Sequence, residues 1–300
     1  MGRHYIIQIS DLHLSESRAY NQVGWEACLR YIANDEPELV ICTGDHVLDD
    51  PDVEDDHEFA FRQLSRLRTP FVALPGNHDI GDCNPAPYLG QHVNRIRLAR
   101  YRRIFGPDWW SREVGDWRLL GLNSMLLGSG LAEEQAQRSW MLETIQTENS
   151  RPTAVFLHKP LFVEQRAEPD VPDICVTAYG RDQLLKDLDG VNLRLVASGH
   201  NHHYRTLMVD GVQFVWAPST AQILRIPRAF RALMIPGLVR YWLDDNGSIE
   251  FGLEQPPGME ASDITDMLDR YHAMRSAPLL PWQAGQIPLR STGVKIAIGQ

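Results

Sequence analysis

The chain has 300 residues, 43% of them hydrophobic, enough to bury a substantial core as one large α/β domain with appendages. A formal net charge of −10 at pH 7 excludes a surface built to track a nucleic-acid duplex, so an anionic ligand must be drawn by a local positive site. With no stretch of about 18 apolar residues, no apolar leader, and Cys28, Cys42, Cys83 and Cys175 scattered without a Cys-x-x-Cys pair, the expectation is a cytoplasmic protein without a transmembrane segment.

In chain order, the first predicted strand is Ile6-Ile7-Gln8-Ile9, ending at Ser10-Asp11. A helical pattern over 22–34 leads to a second strand, Leu39-Val40-Ile41-Cys42, which runs into Thr43-Gly44-Asp45. After a helical pattern over 56–67, Phe71-Val72-Ala73-Leu74 enters Pro75-Gly76-Asn77-His78. A third helical pattern, over 132–148, precedes Ala154-Val155-Phe156-Leu157 with His158 behind it, and residues 193–197 end at Ser198-Gly199-His200. Short apolar runs bounded by turn residues read as buried strands, and their alternation with helices implies sheet layers with helices outside. In such folds ligands bind beyond the carboxyl ends of the strands, where all of these polar clusters fall. Later, Asp210-Gly211 and Asn246-Gly247 each mark a hairpin, so antiparallel strands close the sheet. From Gln255 the chain is Pro-rich, with one helical pattern over 262–274.

Each cluster is weak evidence alone. Asp11 and His13 stand two apart, and a strand's period of two turns both side chains to one face, where a carboxylate and an imidazole could share a divalent ion. Asp45 follows a glycine and could offer one oxygen to each of two metals, although an aspartate after a strand is more often a turn residue or helix cap. Asn77 offers a neutral amide oxygen and His78 an acid or base. His158 taken singly reads as structural. His200 and His202 repeat the spacing of Asp11 and His13. The stretch over 49–58, dense in acids, lacks the glycine and distal glutamate of a calcium loop and reads as a solvated acidic loop.

Together, and in this order, Asp11-x-His13, Gly44-Asp45, Gly76-Asn77-His78-Asp79, His158 and Gly199-His200-Asn201-His202 resemble the calcineurin-like metallophosphoesterases. More narrowly, they resemble the bacterial class III cyclic-nucleotide phosphodiesterase and glycerophosphodiesterase branch. The resemblance implies an α/β fold, a four-layer αββα sandwich of two mixed β-sheets flanked by helices, with the metal site at the strand carboxyl ends. It implies one metal held by Asp11, His13, Asp45 and His202, and a second held by Asp45, Asn77, His158 and His200, with Asp45 bridging. Such mixed nitrogen and oxygen donors suit Mn, Fe or Zn better than Mg. The implied reaction is hydrolysis of small phosphodiesters, 3′,5′-cyclic nucleotides among them, by in-line attack of a metal-bridging hydroxide. His78, not a ligand in this scheme, assists the leaving group, with Asp79 or Asp49 able to orient its ring.

The resemblance leaves the ester open. Asn84 and Tyr88, in the loop over 81–89, are the candidate substrate contacts, plain turn chemistry being the other reading. A phosphomonoesterase on the same metals is the alternative activity. A non-catalytic scaffold is the reading from another class, disfavoured because every ligand position and His78 are intact. Residues 1–255 are read as the catalytic domain and 256–300 as an extension forming a cap or a contact between two copies. The stretch over 223–243, mixing arginines with large apolar residues, is read in the same way, as a cap or homodimer contact.

Overall fold

Along β1 (Arg3–Ile9), Ile6 and Gln8 face one way, Ile7 and Ile9 the other, and all four are buried. A strand covered on both faces belongs in the interior of a layered sheet, and β1 is the central strand of a five-stranded one. The computed structural model describes residues 2–87, 90–146, 150–224 and 232–264.

After β1 come α1 (Gln22–Asp35), β2 (Leu39–Thr43), α2 (Glu54–Leu64), β3 (Phe71–Leu74), α3 (Asn77–Ile80) and α4 (Arg95–Phe105). The middle of the chain forms β4 (Trp110–Val114), β5 (Trp117–Gly121), α5 (Ala132–Gln146), β6 (Thr153–Phe156), α6 (Ala178–Asp187) and β7 (Leu193–Ser198). It ends with β8 (Arg205–Val209), β9 (Val212–Trp216), β10 (Gln222–Ile223), β11 (Leu238–Asp244), β12 (Ile249–Glu254) and β13 (Ser262–Asp263). The first sheet runs β12-β11-β1-β2-β3, with β1, β2 and β3 parallel and β11 antiparallel to both β1 and β12. The second runs β4-β5-β6-β7-β9-β8, parallel through its centre and antiparallel at both edges.

Three apolar zones separate four layers. Ile6, Ile41, Leu74 and Tyr241 of the first sheet meet Trp117, Leu119, Phe156 and Val215 of the second. The outer face of the first sheet packs on Trp25 and Ile32 of α1 and Phe59 and Leu64 of α2. The outer face of the second packs on Met141 and Ile145 of α5 and Leu184 of α6. The architecture is therefore two mixed sheets face to face with helices on both outer faces, as the sequence implied.

Several local expectations change. The stretch over 49–58 is only in part a solvated loop: Asp52, Glu54, Asp55 and Glu58 are exposed, but Glu54, Asp55 and Asp56 form the first turn of α2, where acids complement the helix dipole. Asp49 and Asp56 are buried, and Asp52 pairs with Arg97 and Arg100 of α4. From residue 238 the stretch over 223–243 is β11, paired on both sides, because its alternating Val239, Tyr241 and Leu243 fill the core between the sheets; residues 225–231 lie outside the described residues. Ser262 and Asp263 form β13 on β10 instead of starting a helix, and the rest of that pattern, from 265, lies outside the described residues. The hairpin of β4 and β5 had no Asn-Gly or Asp-Gly signal. Its turn is Gly115-Asp116, with Gly115 at φ 53°.

One polar crosslink runs through the inter-sheet core. Gln8 Nε2 donates to Thr43 Oγ1 at 2.9 Å and, across the sandwich, to the Ser198 carbonyl at 3.1 Å, while Tyr241 Oη donates to Gln8 Oε1 at 2.7 Å. A buried acceptor deprived of its donor costs about 1–3 kcal/mol. Tyr241→Phe is therefore expected to lower the urea midpoint by that free energy with an unchanged denaturant slope; a midpoint equal to the parent's would remove the crosslink from the account of stability.

Candidate metal centre

The loops that leave β1 and β2 remain zipped together beyond the sheet. The Asp11 amide donates to the Gly44 carbonyl at 3.0 Å, His13 to Asp45 at 3.0 Å and Leu14 to His46 at 2.8 Å. This ladder is made in an unusual conformation. Asp11 (φ 55°), His13 (47°), Asp45 (52°), His200 (70°) and His202 (56°) all lie in the left-handed region, where a non-glycine residue costs on the order of 1–3 kcal/mol. Strand alternation is thus not what aims these side chains, since β1 ends at Ile9 and β7 at Ser198. Left-handed residues, at alternate positions in the loops after β1 and β7, do it, and the ladder holds those of the β1 and β2 loops.

The candidate residues converge. The donor atoms of Asp11, His13 and His202 lie within 4.8 Å of one another, as do those of Asp45, His158 and His200, and those of His13, Asp45 and His78. Asn77 Oδ1 stands 3.1 Å from His158 Nε2, which brings it to the second group. Asp11, His13, Asp45, His158 and His202 are buried, whereas Asn77, His78 and His200 are only partly so, so the cluster opens on their side.

Each carboxylate is anchored by one oxygen. Asp11 Oδ2 accepts the His200 amide at 3.0 Å and Asp45 Oδ1 accepts the His78 amide at 2.8 Å. Asp11 Oδ1 is left buried without a hydrogen bond. Asp45 Oδ2 faces His158 Nε2 at 3.2 Å, His78 Nε2 at 3.9 Å and His13 Nε2 at 4.0 Å. One oxygen of Asp45, not both, therefore points toward the two groups. Gly76 lets the chain pass this close, since a Cβ there would overlap the Asp45 carboxylate and amide.

The imidazoles are oriented by backbone carbonyls. Nδ1 of His13 lies 3.0 Å from the Leu48 carbonyl, that of His158 2.6 Å from Thr43, and that of His78 3.0 Å from Asp49. In these rings the donor is Nδ1–H, and Nε2 is turned inward. His200 is reversed: its Nε2 lies 3.0 Å from the Asp173 carbonyl, and its Nδ1 is buried without a hydrogen bond. His13 Nε2 and His202 Nε2 face each other at 3.0 Å. Burial, together with the neighbouring imidazoles of His202 and His78, pulls His13 down to about 3, while burial and the nearby Lys159 ammonium take His200 to about 3. Against the same burial, Asp45 pushes His158 up to about 9 and, with Asp49, raises His78. Converging lone pairs, an orphaned carboxylate oxygen and an orphaned ring nitrogen are the donor set of a cation site, so the residues fit divalent metal ions.

The profile of the family described as calcineurin-like phosphoesterase matches residues 4–204. The chain belongs to that family. It is a metal-dependent phosphoesterase, a hydrolase. A probable glycerophosphodiester phosphodiesterase, GpdQ, of Arcobacter nitrofigilis is 26% identical over 269 residues, covering 81% of this chain and 90% of the relative. A probable cyclic nucleotide phosphodiesterase of Moraxella catarrhalis is 27% identical over 233 residues, covering 72% of this chain and 78% of the relative. Among solved structures, a purple acid phosphatase from yellow lupin superposes with a TM-score of 0.61 at 13% identity, over 87% of this chain. The chain spans about half of that enzyme, 54% of its length. A dimetal phosphatase from Danio rerio superposes with a TM-score of 0.53 at 12% identity, over 80% of this chain and 92% of its own. These superpositions define the phosphoesterase fold seen here.

Other candidates fall elsewhere. The Asn84 amide nitrogen donates to Asp173 Oδ1 at 2.7 Å and its oxygen accepts the Ala86 amide; Tyr88 lies outside the described residues. Asp79 is fully buried and accepts the amides of His46, Val47 and Gly76, so it holds loops together and is not a solvated acid. The His78 ring is oriented by the carbonyl of Asp49, with the carboxylate at 3.9 Å. The His46 ring stacks on Phe105, and the buried His203 ring bonds the Leu224 carbonyl. The carbonyls of Thr43, Leu48, Asp49 and Asp173 had no signal in the sequence, because a carbonyl's direction belongs to the backbone and not to residue type.

Gly76→Ala tests the close approach at Asp45. The added methyl displaces the carboxylate, and the expected outcome is fewer metal ions per chain by mass spectrometry after dialysis, with a lower melting temperature. Parent-like metal content would show that Asp45 tolerates the shift.

Proposed function

We propose that the protein hydrolyses small phosphodiesters at a two-metal centre. Asp11, His13, Asp45 and His202 would hold one ion and Asp45, Asn77, His158 and His200 the other, with Asp45 Oδ2 shared. The observation that carries this reading is the position of that one oxygen, facing His158 on one side and His13 on the other. Bound there, divalent ions supply Lewis-acid polarisation of a phosphoryl group and a lowered pKa for water. The histidine, carboxylate and amide donors favour Mn, Fe or Zn.

The chain's own groups do the rest. An ester can enter only where Asn77, His78 and His200 leave the cluster partly open. His78, anchored through Nδ1 to the Asp49 carbonyl, keeps Nε2 on the side of Asp45 and can hold or deliver a proton to the departing oxygen. The low-dielectric surroundings strengthen every such interaction. Relatives named as glycerophosphodiester and cyclic nucleotide phosphodiesterases support the diester reading. Phosphomonoester hydrolysis is the second reading, favoured by the human serine/threonine-protein phosphatase CPPED1, 26% identical over 211 residues, covering 67% of this chain and 62% of that protein. The catalytic unit is assigned to 1–255. The extension that follows begins packed on it through β13. Free thiols at all four cysteines support a cytoplasmic setting, and no helix among the described residues is long and apolar enough to cross a membrane.

Turnover of cyclic nucleotides, glycerophosphodiesters and nucleoside monophosphates by Mn-loaded protein tests the reading. A diester is expected to give the highest kcat/KM; faster monoester cleavage would transfer the assignment to the second reading. His78→Ala is expected to keep its metals and to lose about 10²- to 10⁴-fold in kcat. Parent-like turnover in that variant would remove His78 from the mechanism.

A further inference from the structure

His13, His78 and His158 hang from carbonyls in β2 or in the loop that leaves it. His200 instead hangs from Asp173, in the long connection between β6 and α6 that carries no regular element near that residue. An irregular segment cannot by itself fix a carbonyl to the few tenths of an ångström that a ligand's ring requires. The brace comes from the loop at the mouth of the site. Asn84 Nδ2 donates to Asp173 Oδ1 at 2.7 Å, and the Asn84 amide donates to Asp82 Oδ1 at 2.9 Å. Asp82 Oδ2 in turn accepts from Lys159 Nζ at 2.6 Å. On the other side of the same segment, Asn201 Nδ2 donates to the Ile174 carbonyl at 3.2 Å.

The Lys159–Asp82 pair is almost wholly buried, with side-chain exposures of 1% and 12%. Buried ion pairs seldom add stability over apolar residues of the same volume, yet this one begins a continuous set of bonds that ends on an unpartnered ring nitrogen, His200 Nδ1. Lys159 follows His158 directly, so the brace starts and finishes beside residues of one group.

We propose that Asp82, Asn84 and Asp173, anchored by Lys159, are positioning residues for His200 and hold its Nδ1 toward Asp45 and His158. The inference rests on the two-metal reading above. It gives the loop over 81–89 a different task from substrate contact at Asn84: that residue sets the affinity of one metal position of the two. Asp11, His13 and His202 take no part in the side-chain bonds from Lys159 to Asp173; Asp11 meets His200 only at its backbone amide, not at the ring that the brace orients.

The test is a calorimetric titration of metal-free protein with Co²⁺ alone, accompanied by melting of each metal-free variant. The parent is expected to bind two ions. Asn84→Ala and Asp173→Ala should each weaken one of them by about 10- to 100-fold and leave the other unchanged. Asp173→Asn, which keeps an acceptor oxygen for Asn84, should bind as the parent does. If an alanine variant melts early, Asn84→Asp, which preserves volume but sets two carboxylates face to face, should produce the same one-site loss. Unchanged affinities in the alanine and Asn84→Asp variants, equal weakening of both positions, or an Asp173→Asn protein as weak as Asp173→Ala would overturn the inference. A parent that binds fewer than two ions would instead overturn the two-metal reading itself.

Discussion

Two carboxylates buried at the end of a double sheet set the terms for everything around them. Asp11 and Asp45 have almost no access to water, and an ionised carboxylate in such surroundings is costly unless paired. Each is met on one oxygen by a backbone amide, from His200 and His78, and on the other by imidazole. Burial alone would push both carboxyls up, yet His202 takes Asp11 down to about 2 and His158 holds Asp45 well below the ordinary range. The interior is therefore prepared for positive charge, and the acidity of the chain as a whole has little bearing on this one place.

The backbone is bent to the same end. Left-handed geometry at non-glycine residues is rare, and outside this cluster it occurs among the described residues only at Glu36 and Asp210. Its concentration at Asp11, His13, Asp45, His200 and His202 marks stored strain at the site, sustained by the loop ladder and by Ser219, whose hydroxyl donates to the Asp11 carbonyl at 2.6 Å. Asn21 does the same for His13, donating to its carbonyl at 2.8 Å, and is itself met by Ser262 of β13 at 3.1 Å. Precision at the centre depends on segments from both ends of the chain.

Much of this was legible in the sequence. The apolar runs before Asp11, Asp45, Asn77, His158 and His200 are strands, and the layer order follows from their alternation with helices. Asp210-Gly211 and Asn246-Gly247 turn where turn chemistry places them. The β4–β5 hairpin was hidden because Gly115-Asp116 carries the glycine in the less familiar order. At 49–58, charge density alone could not reveal that arginines of α4, some 45 residues on, would neutralise Asp52. Tautomers were out of reach for a different reason. They depend on carbonyl directions at Thr43, Leu48, Asp49 and Asp173, and the reversed ring of His200 has the same one-letter code as the others.

The order of strands in the first sheet bears on how the chain comes into being. β1 carries the Asp11 loop and pairs with β11, more than 230 residues later in sequence, so Ile6 bonds opposite Tyr241. During synthesis, that edge of β1 waits open until most of the polypeptide has emerged, and closing so long a loop is entropically slow. The growing chain must shield an apolar strand edge for much of its time on the ribosome, exposed to pairing with the wrong neighbour. The strand from which the Asp11 loop departs is thus held on one side by a partner more than 230 residues away, so the geometry of the site depends on a contact between segments made far apart in time.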